Sequence, residues 1–353
     1  MTMQRLGKIA TALLIGVTSG VLAYALGMPL PWMLGSMIGV TIAALAGAPI
    51  AAPDKLRPIV IPVIGVMLGS AITAELLDVI WNWAATLILL PPFLALAAGV
   101  SYLIYRRAGR YDTVTAFYAS MPGGLNEMLV MGGEAGGDER RIALAHAARV
   151  LFVIIFVALY FGVVHGVTSN TSAAIWIALD ALTLRDYVIL GLCALIGVPL
   201  ARAARLPAAQ VFGPMILSAA AHITGIVTVP PPSVLIICAQ LVIGTVIGCR
   251  FIGTTLRVVG RELGLAVAST LAMLSVAVLF SEGIALWIGM PLTQAFLAFA
   301  PGGLTEMSLL TLAIGQDIAF VSIVHIVRIT LVIAIAPAVF RVFSARVPPP
   351  RQS

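Results

Sequence analysis

Charged residues are scarce in this chain. Only 10% of its 353 residues are Asp, Glu, Lys or Arg, whereas 61% are hydrophobic, and the mean hydropathy is +1.11. Soluble domains carry about 25% charged residues, so this composition excludes a water-soluble globule. Apolar stretches of about 17 to 25 residues, each long enough to cross roughly 30 Å of hydrocarbon, follow one another with short polar connections. The sequence therefore predicts an all-α polytopic membrane protein.

Cysteine and histidine are also rare. The three cysteines, Cys193, Cys238 and Cys249, lie in or beside apolar segments without a C-x-x-C pair, which predicts buried packing residues rather than disulfides or metal ligands. The four histidines lack the spacing of a metal cluster, so we expect no metal, no cofactor and no enzymatic activity. No connection is long enough for a DNA-reading module, so we expect no direct nucleic-acid partner.

Ten apolar segments divide into five per half. They lie at about 6–26, 29–48, 57–74, 80–104 and 141–165, then at 184–204, 207–225, 231–252, 260–281 and 317–343. We predict a first membrane repeat at 1–170 and a second at 184–345. The N-terminal segment resembles a cleavable signal peptide, but we interpret it as a retained helix because 184–204 occupies the matching place in the second half.

One motif occurs twice. Residues 121–128 read Met-Pro-Gly-Gly-Leu-Asn-Glu-Met and residues 300–307 read Ala-Pro-Gly-Gly-Leu-Thr-Glu-Met, each followed by His-x-x-Arg at the same distance. The offset is 179 residues, and a gap-free comparison of 115–149 with 294–328 gives 13 identities in 35. This indicates a duplicated gene half.

The repeated motif lies in two segments, 112–133 and 293–315, whose arms of about ten residues are too short to span a membrane. The arms meet at Pro122, Gly123 and Gly124 in the first segment and at Pro301, Gly302 and Gly303 in the second. Proline removes a backbone donor, and glycine permits conformations that a helix lacks. We therefore predict a re-entrant hairpin or a broken helix in each half.

The positions of the basic residues favour ten spans. With cytoplasmic N- and C-termini and no crossing of the Pro-Gly-Gly segments, every Lys or Arg outside a helix except Arg185 faces the cytoplasm, as the positive-inside rule requires. Twelve spans would divide these residues more evenly. Five spans per repeat would make the two repeats inverted copies, an arrangement typical of secondary transporters.

Glu127 and Glu306 follow the two glycine pairs, where the N-terminal end of the second arm could stabilise a carboxylate. Two interpretations remain open. The glutamates could bind a coupling proton, a cation or a substrate amine, or they could be fixed partners of buried arginines. The neighbouring Asn126 and Thr305 differ between the repeats, so the two half-sites should be chemically unequal.

His146 and Arg149 are three residues apart and share a helical face, as do His325 and Arg328. We expect each arginine to pair with a glutamate, within or between repeats, because an unpaired charge at a helix centre is costly. An incompletely neutralised arginine would suit an anionic substrate. The histidines could relay protons or simply bond a backbone carbonyl.

Other repeated residues have plainer interpretations. Asp138 and Asp317 precede a predicted helix and are expected to be N-caps. Four glycine pairs with G-x-x-x-G spacing are expected to pack helix backbones closely. They are Gly16/Gly20, Gly35/Gly39, Gly65/Gly69 and Gly244/Gly248.

These motifs resemble the AbrB family of bacterial inner-membrane proteins, which carry two copies of P-G-G-x-x-E-M followed by H-x-x-R. Both copies are intact here, at Pro122–Met128 with His146 and Arg149, and at Pro301–Met307 with His325 and Arg328. The resemblance implies a multi-pass protein of the bacterial inner membrane. Family members are commonly labelled ammonia monooxygenases or transcriptional regulators, labels that fit neither the rare histidines nor the short loops.

The inverted repeats predict a secondary transporter of a small solute, anionic if the arginines bind it, coupled to a proton or cation. Its partners would be the lipid bilayer, the solute and the coupling ion, and the oligomeric state is left open, a homo-oligomer included. The alternative is a membrane sensor that affects gene expression indirectly. Substrate, coupling ion and direction of transport are not encoded in any recognisable motif.

Overall fold

Helices dominate the structure, a computed structural model that describes residues 3–28, 30–72, 83–164, 176–206, 208–254 and 256–344. The first seven α-helices are α1 (Met3–Ala25), α2 (Pro31–Leu45), α3 (Arg57–Ser70), α4 (Trp83–Leu103), α5 (Thr113–Ser120), α6 (Leu125–Glu134) and α7 (Glu139–Val164). The next seven are α8 (Leu184–Ala203), α9 (Ala209–Ile223), α10 (Ser233–Gly248), α11 (Leu256–Ile288), α12 (Leu292–Phe299), α13 (Leu304–Ala313) and α14 (Ile318–Ser344). No strand occurs within these described ranges.

The two halves share one order of helices. The 179-residue offset carries the bounds of α5 and α6 onto those of α12 and α13 without any shift, and α7 onto α14 with a common start. Helices α1–α3 correspond to α8–α10 within three residues at each end, and α11 extends six residues beyond the equivalent of α4 at each end. The duplication predicted from the motif therefore extends to the secondary structure.

Seven helical stretches are long and apolar enough to cross a membrane. They are Met3–Ala25, Thr86–Ala108, Glu139–Phe161, Leu184–Ala203, Ser233–Phe251, Gly260–Ile288 and Ile318–Arg341. Many large apolar side chains on these helices are exposed, including Leu14, Ile88, Leu195 and Leu286. Exposed apolar faces of this extent suit a lipid environment, and the prediction of a multi-pass membrane protein is confirmed at this level.

Three predicted spans are shorter than the sequence suggests. The segments predicted at 29–48, 57–74 and 207–225 form α2, α3 and α9, of 15, 14 and 15 residues, so each rises only about 22 Å. Left-handed backbone at Leu30 and Ala208 precedes α2 and α9, and glycines with positive φ, Gly47 and Gly225, follow them. These turns shorten the helices although their residues are apolar. The ten-span topology stays a prediction.

The chain divides into two compact units that cut across the sequence halves. Unit 1 comprises 1–83, 154–256 and 304–322, and unit 2 comprises 84–153, 257–303 and 323–353. Each unit therefore contains parts of both repeats: α1–α3 and their equivalents α8–α10 lie together in unit 1, whereas α6 lies in unit 2 and its equivalent α13 in unit 1. The sequence boundary predicted near 170 lies outside the described residues.

Within unit 1, the first three helices of one repeat interlock with those of the other. Helix α2 packs on α10, and α3 packs on α9. A Cβ at Gly65 or Gly69 would collide with the backbone oxygens of Val211 or Met215 in α9. The prediction that the glycine pairs pack backbones closely is confirmed for Gly65 and Gly69, whereas a Cβ at Gly16 or Gly20 would meet mainly side chains.

The other glycine pairs agree with this packing. A Cβ at Gly244 would collide with the Met33 carbonyl oxygen of α2, and one at Gly248 would lie 2.9 Å from that of Met37. In the first repeat, Gly35 lies against α1, where a Cβ would come within 2.7 Å of the Ala23 Cβ. Equivalent glycines in the two repeats thus let equivalent helices cross.

The cysteine prediction holds only in part. Cys193 and Cys249 are buried, but Cys238, on α10, is exposed. Helix α10 is apolar over its whole circumference, so the sequence does not distinguish its protein-facing side from its outward side. The expectation that all three cysteines are buried was wrong for this reason.

Unit 2 has its own apolar core around the arms of the first repeat. Phe117, Tyr118, Met128, Ile142 and Val332 form one buried cluster. An aromatic group involving Phe93, Phe280 and Phe299 packs the residues of α4, α11 and α12 together, with the rings of Phe93 and Phe299 4.9 Å apart in an edge-to-face arrangement. These contacts fix the arms whose ends form the site described next.

Candidate functional site

Both Pro-Gly-Gly motifs interrupt a helix. In the first repeat, α5 ends at Ser120 and the chain is extended at Met121 (φ −65°, ψ 128°) and Gly124 (φ −65°, ψ 137°) before α6 begins. In the second, α12 ends at Phe299 and Ala300 (φ −53°, ψ 131°) leaves the helix before α13 begins. The predicted break is present in both halves, and re-entry into a membrane stays a prediction.

The glycines of the first break differ from other residues by the space they leave rather than by their backbone angles. Neither Gly123 nor Gly124 has a positive φ. A Cβ at Gly123 would lie 2.8 Å from Cγ1 of Val332, and one at Gly124 would collide with the Glu127 carboxylate. The extended backbone at Gly124 is a conformation that a helix lacks, as expected, but it is one that any residue can adopt.

The two arms of the first repeat pack side by side. The Asp138 amide donates to Oγ1 of Thr115 (2.8 Å), which joins the end of the segment to the start of α5. The second arm ends with Gly136 at φ 84°, and the Gly137 amide donates to the Gly132 carbonyl (2.8 Å). This is a Schellman-type end, in which a left-handed glycine stops the helix.

The second repeat ends its second arm in the same way. Gly315 has φ 70°, and the Gln316 amide donates to the Thr311 carbonyl (3.0 Å). The following aspartates cap the next helices, because Asp138 Oδ1 accepts from the Arg141 amide (3.1 Å) and Asp317 Oδ1 accepts from the Phe320 amide (3.0 Å). The prediction that both aspartates are N-caps is confirmed.

Each motif arginine binds the carbonyl at the end of the first arm. Arg149 donates from Nη1 to the Met121 carbonyl (2.9 Å), and Arg328 donates from Nη1 to the Ala300 carbonyl (2.6 Å). These acceptors are equivalent residues in the duplication. The last carbonyls of a helix have no partner within it and carry partial negative charge, so a cation is well placed there.

The second donor of each arginine has a different partner. Arg149 Nη2 lies 2.8 Å from Nδ1 of His146, whereas Arg328 Nη2 donates to the Gly302 carbonyl (2.6 Å). Nε2 of His146 lies 2.9 Å from the Tyr118 carbonyl. Since guanidinium only donates and a carbonyl only accepts, His146 is assigned as the neutral tautomer with its proton on Nε2.

These hydrogen bonds distinguish the two interpretations of His146, a proton relay and a ring bonded to a backbone carbonyl. A proton on Nδ1 would break the Arg149 bond, so the ring positions the arginine and the backbone rather than carrying protons along this path. His325 is buried at the equivalent position. The interpretation of a histidine bonded to a backbone carbonyl is confirmed for His146.

The arginines lie in buried surroundings without carboxylate partners. Arg149 is 4% exposed and Arg328 is 2% exposed, and among the described residues neither forms an ion pair. Nε of each arginine also lacks an acceptor there. A charge at a helix centre costs about 2.5 to 3.5 kcal/mol on insertion scales. Two such arginines are therefore energetically unfavourable if their role is structural alone.

The predicted pairing of Glu127 with Arg149 was wrong. Glu127 lies in the first turn of α6, but its side chain is exposed beside Gly124, and the arginine is bonded to a carbonyl and a histidine instead. The sequence showed two opposite charges but not that a helix end would compete for the guanidinium.

The remaining predicted site residues belong to both units. Glu306 lies in the first turn of α13 and is half-buried, with Thr305 beside it. Both belong to unit 1, and the pairing of Glu306 with Arg328 stays a prediction. The side chain of Asn126 lies outside the described residues. No cluster of three or more His, Cys, Asp or Glu that could hold a metal ion occurs in the described part of the chain.

Comparison with known proteins agrees with the motifs. The family model "Transition state regulatory protein AbrB" matches residues 32–344. The chain belongs to the AbrB family. It is 25% identical over 352 residues to the "Uncharacterized protein YhjN" of Bacillus subtilis (strain 168), covering 93% of this chain and 91% of the relative. It is 26% identical over 330 residues to the "Putative regulator AbrB" of Escherichia coli (strain K12), covering 92% and 93%.

The structure contains a buried polar pair, Tyr111 and Glu262, that lies outside the AbrB-family motif. The Tyr111 hydroxyl donates to Glu262 Oε2 at the start of α11, and the Arg141 guanidinium lies 5.0 Å from the Tyr111 ring centre. Burial, with the Glu262 bond, raises the pKa of Tyr111 above its ordinary value. Glu262 lies at the edge of an apolar segment, where acidic residues are rare, and this position could have identified it from the sequence.

Proposed function

We propose that this AbrB-family protein is a secondary transporter of a small anionic solute. One observation carries the proposal: two buried guanidinium groups, at duplicated helix breaks, have no carboxylate partner among the described residues. A bound anion would offset the cost of burying them, and an empty site would restore that cost. A site that gains so much from an anion is suited to binding one reversibly.

The position of the arginines supports transport rather than a fixed structural role. Both lie beside interrupted helices, and irregular backbone at membrane depth is tolerated where it is buried in protein or lines a water-filled cavity. Broken helices in duplicated halves are the usual place for substrate and ion sites in secondary transporters. Here the interruption and its arginine occur twice, with equivalent carbonyls bound.

The division into two units supports alternating access. Each unit takes parts from both repeats, with α1–α3 and their equivalents α8–α10 together in unit 1, which is the composition expected if one unit moves relative to the other around a pseudo-symmetric centre. In this proposal the repeats are inverted, the ends of the chain are cytoplasmic and the membrane is the bacterial inner membrane.

Glu127 and Glu306 are the proposed coupling residues. Both occupy the first turn of the second arm, where the helix N-terminus favours a carboxylate ready to bind a proton or a cation. Their replacement by Gln should abolish gradient-driven uptake without preventing membrane insertion. Unchanged uptake in Glu127→Gln and Glu306→Gln would remove them from the mechanism.

The proposal is tested by uptake into proteoliposomes. The purified full chain would be supplied with radiolabelled acetate, succinate, phosphate or sulfate under an imposed proton or sodium gradient. We expect uptake of at least one anion above protein-free liposomes, its loss in Arg149→Gln/Arg328→Gln and its retention in Arg107→Gln, which removes an exposed charge. Absence of uptake for every anion, or equal uptake by the double variant, would contradict transport of an anion.

A regulatory membrane protein is the second candidate, favoured by the name of the Escherichia coli relative, "Putative regulator AbrB". Deleting the gene should then change transcript levels. Complementation with the Arg149→Gln/Arg328→Gln variant separates the two candidates. Normal transcript levels restored by this variant would indicate regulation independent of the arginine site, whereas failure to restore them would indicate regulation through transport.

A further inference from the structure

The two arginines form a pair of positive charges in unit 2. Arg149 comes from α7 and Arg328 from α14, both within that unit. The first break, whose Met121 carbonyl binds Arg149, packs on α14 at Val332, one helical turn beyond Arg328, because a Cβ at Gly123 would lie 2.8 Å from Val332 Cγ1. Two like charges held together in buried surroundings repel each other. The arrangement is stable only if something else compensates for both charges.

The other ionisable groups of unit 2 do not compensate for them. His146 is neutral in its bonded form, since it accepts from Arg149 and donates to the Tyr118 carbonyl. Glu262 is buried but is bonded by Tyr111, and Glu127 is exposed. Neither arginine forms an ion pair with a described acid of unit 2, so within that unit the two charges are offset only by the carbonyls and the neutral histidine that accept from them.

The bonds to the protein fix the orientation of each guanidinium. The terminal nitrogens bind the Met121 carbonyl and His146 in the first repeat, and the Ala300 and Gly302 carbonyls in the second. Nε is left without an acceptor in both. The edge of a guanidinium that includes Nε can bind a carboxylate through two parallel hydrogen bonds.

We propose that one substrate with two separate acid groups, a small dicarboxylate, binds Arg149 through one group and Arg328 through the other. This rests on the proposed transport function and names the substrate class. Two fixed donor edges on two helices match two acid groups, and two negative charges neutralise the pair. A monocarboxylate leaves one buried charge without a partner.

Binding to the purified full chain in lipid nanodiscs tests the substrate class separately from transport. Calorimetric titrations would compare succinate, butyrate with the same number of carbons but one acid group, and sulfate with both charges on one centre. We expect succinate to bind wild type about 30-fold more tightly than butyrate or sulfate. Loss of one partner of a buried charge pair should weaken succinate binding roughly 30-fold in Arg149→Gln or Arg328→Gln, to the level of butyrate.

The controls keep the proposal falsifiable. Arg107→Gln should bind succinate as wild type does, while Arg149→Lys and Arg328→Lys keep both charges and should retain part of the preference for succinate if the Gln variants fail to fold. Equal binding of succinate and butyrate, with both arginines required, would overturn the dicarboxylate but leave anion transport standing. Sulfate binding as tightly as succinate would overturn the two-group arrangement, and no binding of any anion to wild type would overturn both proposals.

Discussion

The two Pro-Gly-Gly segments are the same in backbone and different in side-chain partners. Their helices share bounds, their second arms end on equivalent left-handed glycines, and their arginines bind equivalent carbonyls. Yet Arg149 depends on a histidine ring where Arg328 uses a second carbonyl. The duplication therefore preserved the break and its cation, while the immediate surroundings of the cation diverged.

The divergence extends to the second arms. Glu127 is exposed and lies in unit 2, whereas Glu306 is half-buried and lies in unit 1. Two half-sites with a common cation but different carboxylate environments need not have the same task. The inequality expected from Asn126 and Thr305 stays a prediction, and each repeat can serve as a control for the other.

The largest expected difference concerns the side of the membrane on which each second arm ends. Single cysteines at Glu134 and Ala313, related by the 179-residue offset, would be placed in a chain lacking Cys193, Cys238 and Cys249. Five spans per repeat predict that a membrane-impermeant thiol reagent labels the two cysteines from opposite sides. The measurement is labelling of inverted and right-side-out vesicles.

Labelling of both positions from the same side would mean parallel repeats, and the proposed alternating-access mechanism would lose its symmetry. A permeant reagent that labels both cysteines in both preparations controls for reactivity. A comparison of this kind does not depend on which anion is carried.

A large and equal loss of stability is expected where the repeats are most alike. Gly69→Leu would collide with the Met215 carbonyl oxygen, and Gly248→Leu would enter a space where a Cβ already lies 2.8 Å from the Val40 Cβ. Neither helix pair can separate without losing its packing, so we expect both variants to lose about 3 kcal/mol or more. Thermal unfolding in detergent would measure the loss.

Gly191→Leu is the matched control, because a Cβ there meets nothing within 4 Å. Leucine has a better helix propensity than glycine, so this variant should be as stable as wild type or slightly more so. If only one of the Gly69 and Gly248 variants is destabilised, the two equivalent helix crossings do not contribute equally to stability.

The duplication and the helix order were predictable from sequence because residues separated by 179 positions repeat their chemistry. The N-caps Asp138 and Asp317 were predictable because capping is local. The partner of Arg149 was not, since the Met121 carbonyl becomes available only after the chain leaves the helix. A backbone acceptor has no residue type by which a sequence could reveal it.

An intermediate effect is expected at His146. Arg149 bonds to this ring, whereas Arg328 makes its equivalent bond to a carbonyl. His146→Ala would leave the Tyr118 carbonyl and one Arg149 donor without their partners, at a cost of about 2 to 4 kcal/mol for the two groups and the vacated space. Thermal unfolding in detergent would measure it.

Two conservative replacements divide the effect of His146→Ala between its bonds. His146→Gln can still donate toward Tyr118, and His146→Asn can still accept from Arg149, so each should recover part of the lost stability. Full stability in His146→Ala would show that Arg149 keeps its position without the ring, and the two half-sites would then be more alike than their bonds indicate.

The smallest expected effects separate the two glycines of the first break. Gly123→Ala would place a methyl group 2.8 Å from the Val332 side chain, which is stiff, so we expect a loss of about 1 kcal/mol. In Gly124→Ala the collision is with the end of the flexible, exposed Glu127 side chain, which can swing away, so stability should be nearly unchanged. If Glu127 couples transport, the displaced carboxylate should nevertheless alter gradient-driven uptake. Reduced uptake in Gly124→Ala with unchanged thermal stability would place Glu127 in the mechanism, whereas wild-type uptake would leave Glu306 as the remaining coupling candidate.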